Sequence, residues 1–138
     1  MDNLFMKNQI QKKDASIDKK NKNLCQNFFY YEKLYMAGKH FSIQDLSLIE
    51  HGGHPGSRTF LLVLPAGPVD VLEIYHADTR QLLPLSFREK TYVIGIARGY
   101  RKTLRLLEQI FLEHMDKAGA LRSYFNQVRY VRLEDLVL

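Results

Sequence analysis

The sequence predicts an α+β fold: a small mixed sheet of two or three strands covered by two to four helices, with a βαβ unit in its second half. Three observations predict it. Residues 58–64 and 91–97 are continuous apolar runs of strand length, rich in branched side chains. Residues 100–118 repeat apolar side chains at helical spacing, with charges between them. Glycine and proline punctuate the chain between these segments, at 52–56, 65–68 and 99.

Residues 1–23 are rich in Lys, Asn, Gln and Asp. They predict a flexible basic tail, because such a composition buries too little apolar surface to offset the entropy of ordering. Residues 24–138 then predict one globular domain, within the usual range of about 100–150 residues. Within 24–37, Leu24, Phe28, Tyr31 and Tyr35 follow the pattern of one helical face. Phe29 and Tyr30 interrupt it, and aromatic clusters favour strands. The segment reads as a helix, with a strand as the competitor. Ser42 and Asp45 resemble a capping arrangement for a short helix over 43–51, with Ile43, Leu46 and Ile49 on one face. Gly52 is its expected left-handed end.

The run 58–64 stops at Pro65, and Pro68 suits the first position of a new helix. Val69, Leu72, Ile74 and Tyr75 would cover one side of it as far as 77, with a second strand as the competing reading. The strand 91–97 turns at Arg98-Gly99 into the long helix. There Tyr100, Leu104, Leu107, Phe111, Met115 and Ala118 form the expected core stripe, and Arg101, Lys102, Arg105, Glu108 and Glu113 the solvent side. A short helix over 120–126 and a strand over 128–133 complete the chain. If the strands on either side of the long helix pair in parallel, the crossover is right-handed.

Composition narrows the function classes. Apolar residues make up 46% and charged residues 25% of the chain, ordinary for a globular protein. The net charge of +5 lies mostly in the tail, where six lysines against three aspartates give +3. A nearly balanced domain creates little long-range field for gathering a polyanion. No helix-turn-helix, zinc-finger or RNP signature appears. Nucleic acid is expected to associate only weakly, through the tail lysines, with Phe28, Phe29, Tyr30, Tyr31 and Tyr35 read as core rather than as stacking groups. Cys25 is the only cysteine, which excludes an internal disulfide. The chain shows no secretory-leader pattern and no run near the roughly 18 apolar residues of a membrane span. A cytoplasmic protein that does not enter a membrane is the expectation.

Three constellations bear on chemistry. His51 and His54, three residues apart, with His76 as a third nitrogen, have spacing close to that of a zinc site. The glycines and proline around them break the continuous helix that an HExxH site requires, so no cofactor is expected. The second is the junction 95–102. There a strand ends, Gly99 turns the chain and a helix begins, so free N–H groups meet Arg98, Arg101 and Lys102. Phosphate or carboxylate binding, or an enzyme acting on such a substrate, is the reading there. The junction matches neither the Walker loop nor GxGxxG. The third is apolar: Leu106 and Leu112 lie off the core stripe, and the chain ends in Leu136, Val137 and Leu138. These residues suit a partner surface.

For catalysis the sequence offers little. Cys25 has no histidine near it, Ser57 is not in a GxSxG elbow, and Glu50, Asp70, Glu73 and Asp78 read as scattered surface acids. The reading from sequence is therefore a non-enzymatic binding or regulatory module, acting through protein contacts and as a homodimer. A small-anion site at the junction is the main rival, and tail-mediated nucleic-acid association the third.

Overall fold

The computed structural model describes residues 27–53, 55–56, 58–67, 72–114 and 121–138. The expected tail, Leu24, Cys25, His54, Ser57, Asp70 and residues 115–120 lie outside these. In chain order the described elements are β1 (Phe28–Ala37), α1 (Ile43–Glu50), β2 (Thr59–Val63), β3 (Glu73–His76) and α2 (Thr79–Leu82). A 3-10 segment (Leu83–Phe87), β4 (Thr91–Arg98), α3 (Tyr100–His114), α4 (Leu121–Phe125), β5 (Tyr130–Val131) and a 3-10 turn (Leu133–Asp135) follow.

The fold is α+β, but the sheet is larger than two or three strands. Among the described residues five strands form one mixed sheet in the order β3-β2-β4-β1-β5. β1 and β4 are parallel, and every other neighbouring pair is antiparallel. Among the described residues the expected βαβ unit around α3 does not form. β1 lies between β4 and β5, and it is antiparallel to β5, so the strands flanking α3 neither pair nor run the same way. The long connection from β1 to its parallel partner β4 carries α1, β2, β3 and α2 instead.

Both faces of the sheet are covered, which explains its unbroken apolar runs. Leu61 and Val63 of β2 enter one core with Phe28, Tyr30, Phe41, Leu46, Ile49, Leu82, Leu85, Val93 and Ile96. Leu62 and Leu64 enter the other, with Ile94, Ala97, Leu106, Ile110 and Phe125. The period of two is intact, yet each step lands in a core. α1, α2 and the 3-10 turns cover the first face, and α3 and α4 the second.

Segment 24–37 yields β1 rather than a helix. Phe28 and Tyr30 enter one core and Tyr31 the other, so the aromatic run is buried by strand alternation. The register jumps from Tyr30↔Val93 to Tyr35↔Gly95, and Tyr31 pairs instead with Tyr130 of β5. The helical spacing of Phe28, Tyr31 and Tyr35 does not mark one face, since Phe28 enters the first core and Tyr31 and Tyr35 pack into the second. Within the helix expected over 68–77, Glu73–His76 form β3 instead, pairing residue for residue with the free edge of β2, and residues 68–71 lie outside the described ones. The α1 helix and its capping box form as expected: Asp45 N–H donates to Ser42 Oγ and Ser42 N–H to Asp45 Oδ2.

The core stripe of α3 also differs from its sequence reading. Thr103, Leu106, Ile110 and His114 are buried, whereas Tyr100, Leu104 and Phe111 are exposed. Leu106 packs over Gly95, where a Cβ would stand in ordinary contact with Leu106 Cδ2 at 3.5 Å and more tightly against Tyr35 Cβ at 3.2 Å. Thr103 tolerates burial because its hydroxyl donates to Gly99 O at 2.8 Å.

Candidate functional site

The junction 95–102 opens a cleft of about 430 Å³ lined by Arg58, Arg98, Gly99, Arg101, Lys102 and Arg105. Arg98 is the last residue of β4 and pairs with Thr59 of β2. Antiparallel pairing therefore brings Arg58 to the mouth of the junction, where its carbonyl accepts from Gly99 N–H at 2.7 Å. Arg58 takes a left-handed backbone with φ of 62°. For a residue with a Cβ this costs on the order of 1 kcal/mol, and such strain concentrates at ligand clamps and turns. Glycine makes room on both sides of Arg98. A Cβ on Gly38 would overlap the Arg98 carbonyl, and one on Gly56 would stand 3.1 Å from its Nη2.

Gly99 is also the residue from which α3 starts, since its carbonyl accepts the first helical bond, from Thr103 N–H at 2.9 Å. It has no side chain with which to cap the turn that follows. The first turn contains no acid. The positive end of the helix dipole therefore lies beside the cleft, which Gly99, Arg101 and Lys102 line. Arg101 and Lys102 stand in that turn against the dipole, each at a cost of about 0.3–1 kcal/mol. All five cations are exposed, and none of them forms an ion pair among the described residues. A second hollow, lined by Ala37, Lys102, Arg105, Leu106 and Gln109, shares two of them and extends the track along α3.

Sequence reasoning named Arg98, Gly99, Arg101 and Lys102 but missed Arg58 and Arg105. Arg105 was within reach, because it follows Arg101 by four residues on one helical face. Arg58 was not, because only the pairing of β2 with β4 brings it there. Counted along the chain, the charges outside the tail nearly cancel, and folding still concentrates five cations at one place.

The histidines are arranged differently. His51 caps α1 at the surface, with Nδ1 2.7 Å from Ser47 O. His76 lies on β3, its ring 4.9 Å from that of Phe60. His54 is outside the described residues. Among the described residues no three His, Cys, Asp or Glu side chains gather as a metal site would require. Of the apolar candidates, Leu106 and Leu136 are buried in the two cores and are unavailable to a partner, while Leu112 and Leu138 are exposed.

A polar cluster that the sequence did not show ties α3 to β1. Tyr35 donates its hydroxyl proton to Glu113 Oε1 at 2.6 Å and lies 3.2 Å from His114 Nε2. The His114 ring stacks on Tyr124 at 3.9 Å. Burial first, and the Glu113 carboxylate second, hold the Tyr35 hydroxyl above the ordinary tyrosine range. Tyr35 therefore keeps its proton, and its bond to Glu113 ties β1 to α3. No helix among the described residues is long and apolar enough to cross a membrane. No family model matches the chain, and neither a curated protein nor a solved structure matches it.

Proposed function

We propose that this protein is an anion-binding module whose ligand carries phosphate, held by Arg58, Arg98, Arg101, Lys102 and Arg105. The observation that carries this reading is the meeting of five cations on one open cleft with no acid among the described residues of its lining. Like charges repel, and the first-turn cations oppose the helix dipole, so the unliganded cleft is electrostatically unfavourable. An anion reverses the sign of each of these terms. Arginine forks match phosphate and carboxylate oxygens in pairs, and the greater charge of phosphate favours it here. Among the described residues the lining offers charge and N–H donors but neither carboxylate nor imidazole, which favours binding over catalysis.

Calorimetric titration with orthophosphate, pyrophosphate and succinate at low salt tests this. Pyrophosphate should bind, the affinity should fall as salt rises, and the Arg98→Ala/Arg101→Ala variant should lose binding while melting within a few degrees of the parent. Absence of heat with all three anions would overturn the reading.

A second reading, protein contact through a homodimer, draws support from Tyr100, Leu104 and Phe111, exposed along one side of α3. Light scattering at high concentration tests it. A monomer whose mass is unchanged by Leu104→Glu/Phe111→Glu would remove it.

A further inference from the structure

We propose that the cleft takes a chain of phosphoryl groups, a di- or triphosphate, rather than a single phosphate, and reads it through the phosphates alone. This rests on the anion-binding reading above.

The first ground is charge. One phosphate group carries at most about two negative charges at neutral pH. Five cations line the cleft, so a single phosphate would leave three of them facing one another without compensation. Each added phosphoryl group brings further charge and further oxygens for the remaining donors.

The second ground is extent. Arg58 and Arg98 stand at the strand end of the cleft, and Arg105 lies four residues into α3 from Arg101. At 1.5 Å per residue that is about 6 Å along the helix axis, a spacing that successive phosphoryl groups can follow. The adjoining hollow of about 230 Å³ carries Lys102 and Arg105 onward to Gln109. The basic surface is a track rather than a single cup.

The third ground is what the cleft lacks. Among the described residues its lining contains only Arg, Lys and Gly, with no aromatic or apolar side chain on which a base could stack. Whatever is attached to the phosphates is therefore left unread. Among the described residues no carboxylate lines the cleft to hold a phosphate-bound magnesium ion, although magnesium sites rely on carboxylates as well as substrate phosphates. The ligand is therefore bound free of metal, and magnesium competes by neutralising it.

Calorimetry or displacement of a fluorescent anion, on the full chain in EDTA, compares orthophosphate, pyrophosphate, inorganic tripolyphosphate, ATP and GTP. The expected order is tripolyphosphate tightest, pyrophosphate next and orthophosphate at least about tenfold weaker than tripolyphosphate, about 1.4 kcal/mol. ATP and GTP should match each other, and added magnesium should weaken both. Lys102→Ala/Arg105→Ala should lose more affinity for tripolyphosphate than for orthophosphate, with circular dichroism confirming an unchanged fold. Equal affinity for orthophosphate and tripolyphosphate would overturn the chain proposal while leaving anion binding standing. A preference for one base, or binding that requires magnesium, would overturn it as well. Failure of every anion to bind would instead remove the reading on which the proposal rests.

Discussion

Gly38 lies with its Cα against the backbone of Arg98, so close that a side chain on Gly38 would overlap the Arg98 carbonyl oxygen. Its φ of +88° is one that residues with a Cβ rarely adopt. Steric and conformational demands thus coincide at one residue, where β1 ends beside the cationic cleft. Gly38→Ala should destabilise the protein by about 1–3 kcal/mol. By displacing Arg98 it should also weaken pyrophosphate binding. Chemical denaturation and titration check the two effects together. A variant as stable as the parent would show that the loop relaxes without moving the strand.

The buried face of α3 makes a sharp mutational contrast. Leu106, 3% exposed and seated over Gly95, should cost about 2–5 kcal/mol when changed to Ala. Phe111, 47% exposed, should cost about 1 kcal/mol or less in the monomer. The reverse order, measured by urea denaturation, would restore the stripe that sequence periodicity predicts.

Two carboxylates on α1 give stability opposite dependences on pH. Burial pushes Glu50 above its ordinary value of 4.5, although the Tyr30 hydroxyl donates to Glu50 Oε2 at 2.6 Å. Below 4.5 both folded and unfolded states hold the proton. As pH rises the unfolded carboxyl ionises first, so stability falls until pH passes the raised native value. Glu50→Gln should remove this loss and raise the melting temperature at pH 7 relative to the parent. No gain at neutral pH would mean that Tyr30 and the nearby Arg132 compensate for burial.

Asp45 works in the other direction. The Ser42 backbone N–H holds its carboxyl below the ordinary 3.8, with help from Lys39. Its contribution is present above 3.8 and is lost as pH falls through the lowered native value. Ser42→Ala breaks half of the capping box and should cost about 0.5–2 kcal/mol. A melting series from pH 2 to about pH 7 on the parent, Glu50→Gln and Asp45→Asn separates the two effects by sign.

Arg101→Glu should stabilise the fold and abolish anion binding in the same molecule. It replaces a cation that opposes the α3 dipole with an anion that complements it, a gain of about 0.5–2 kcal/mol when both effects are counted. It also places a negative charge in the cleft. A higher melting temperature with pyrophosphate binding lost is the expected pair of results. A variant that still binds would exclude Arg101 from the site.

The candidate site was partly legible. Arg98, Gly99, Arg101 and Lys102 could be named from sequence because a strand end, a turn glycine and a helix start are all local signals. Arg58 reached the same cleft by pairing across the sheet, which a linear reading does not encode. The histidines show the converse. Their spacing resembled that of a metal site, but His51 stands on a helix cap and His76 on the edge strand β3.

The amino-acid sequence by itself determined the local elements whose signals lie within a few residues: the capped helix α1, the apolar strands β2 and β4, and the existence of α3. Each of these draws on propensity, capping and run length, which act over short range. Only the tertiary structure decided that the aromatic run 28–37 is a strand, that β1 sits between β4 and β5, and that α3 turns Leu106 rather than Phe111 inward. The physical reason is the same in each case. Strand pairing satisfies backbone groups held far apart in sequence, and packing against the second face of the sheet turns Leu106 and Ile110 inward. Both of these energies exist only once the sheet has assembled.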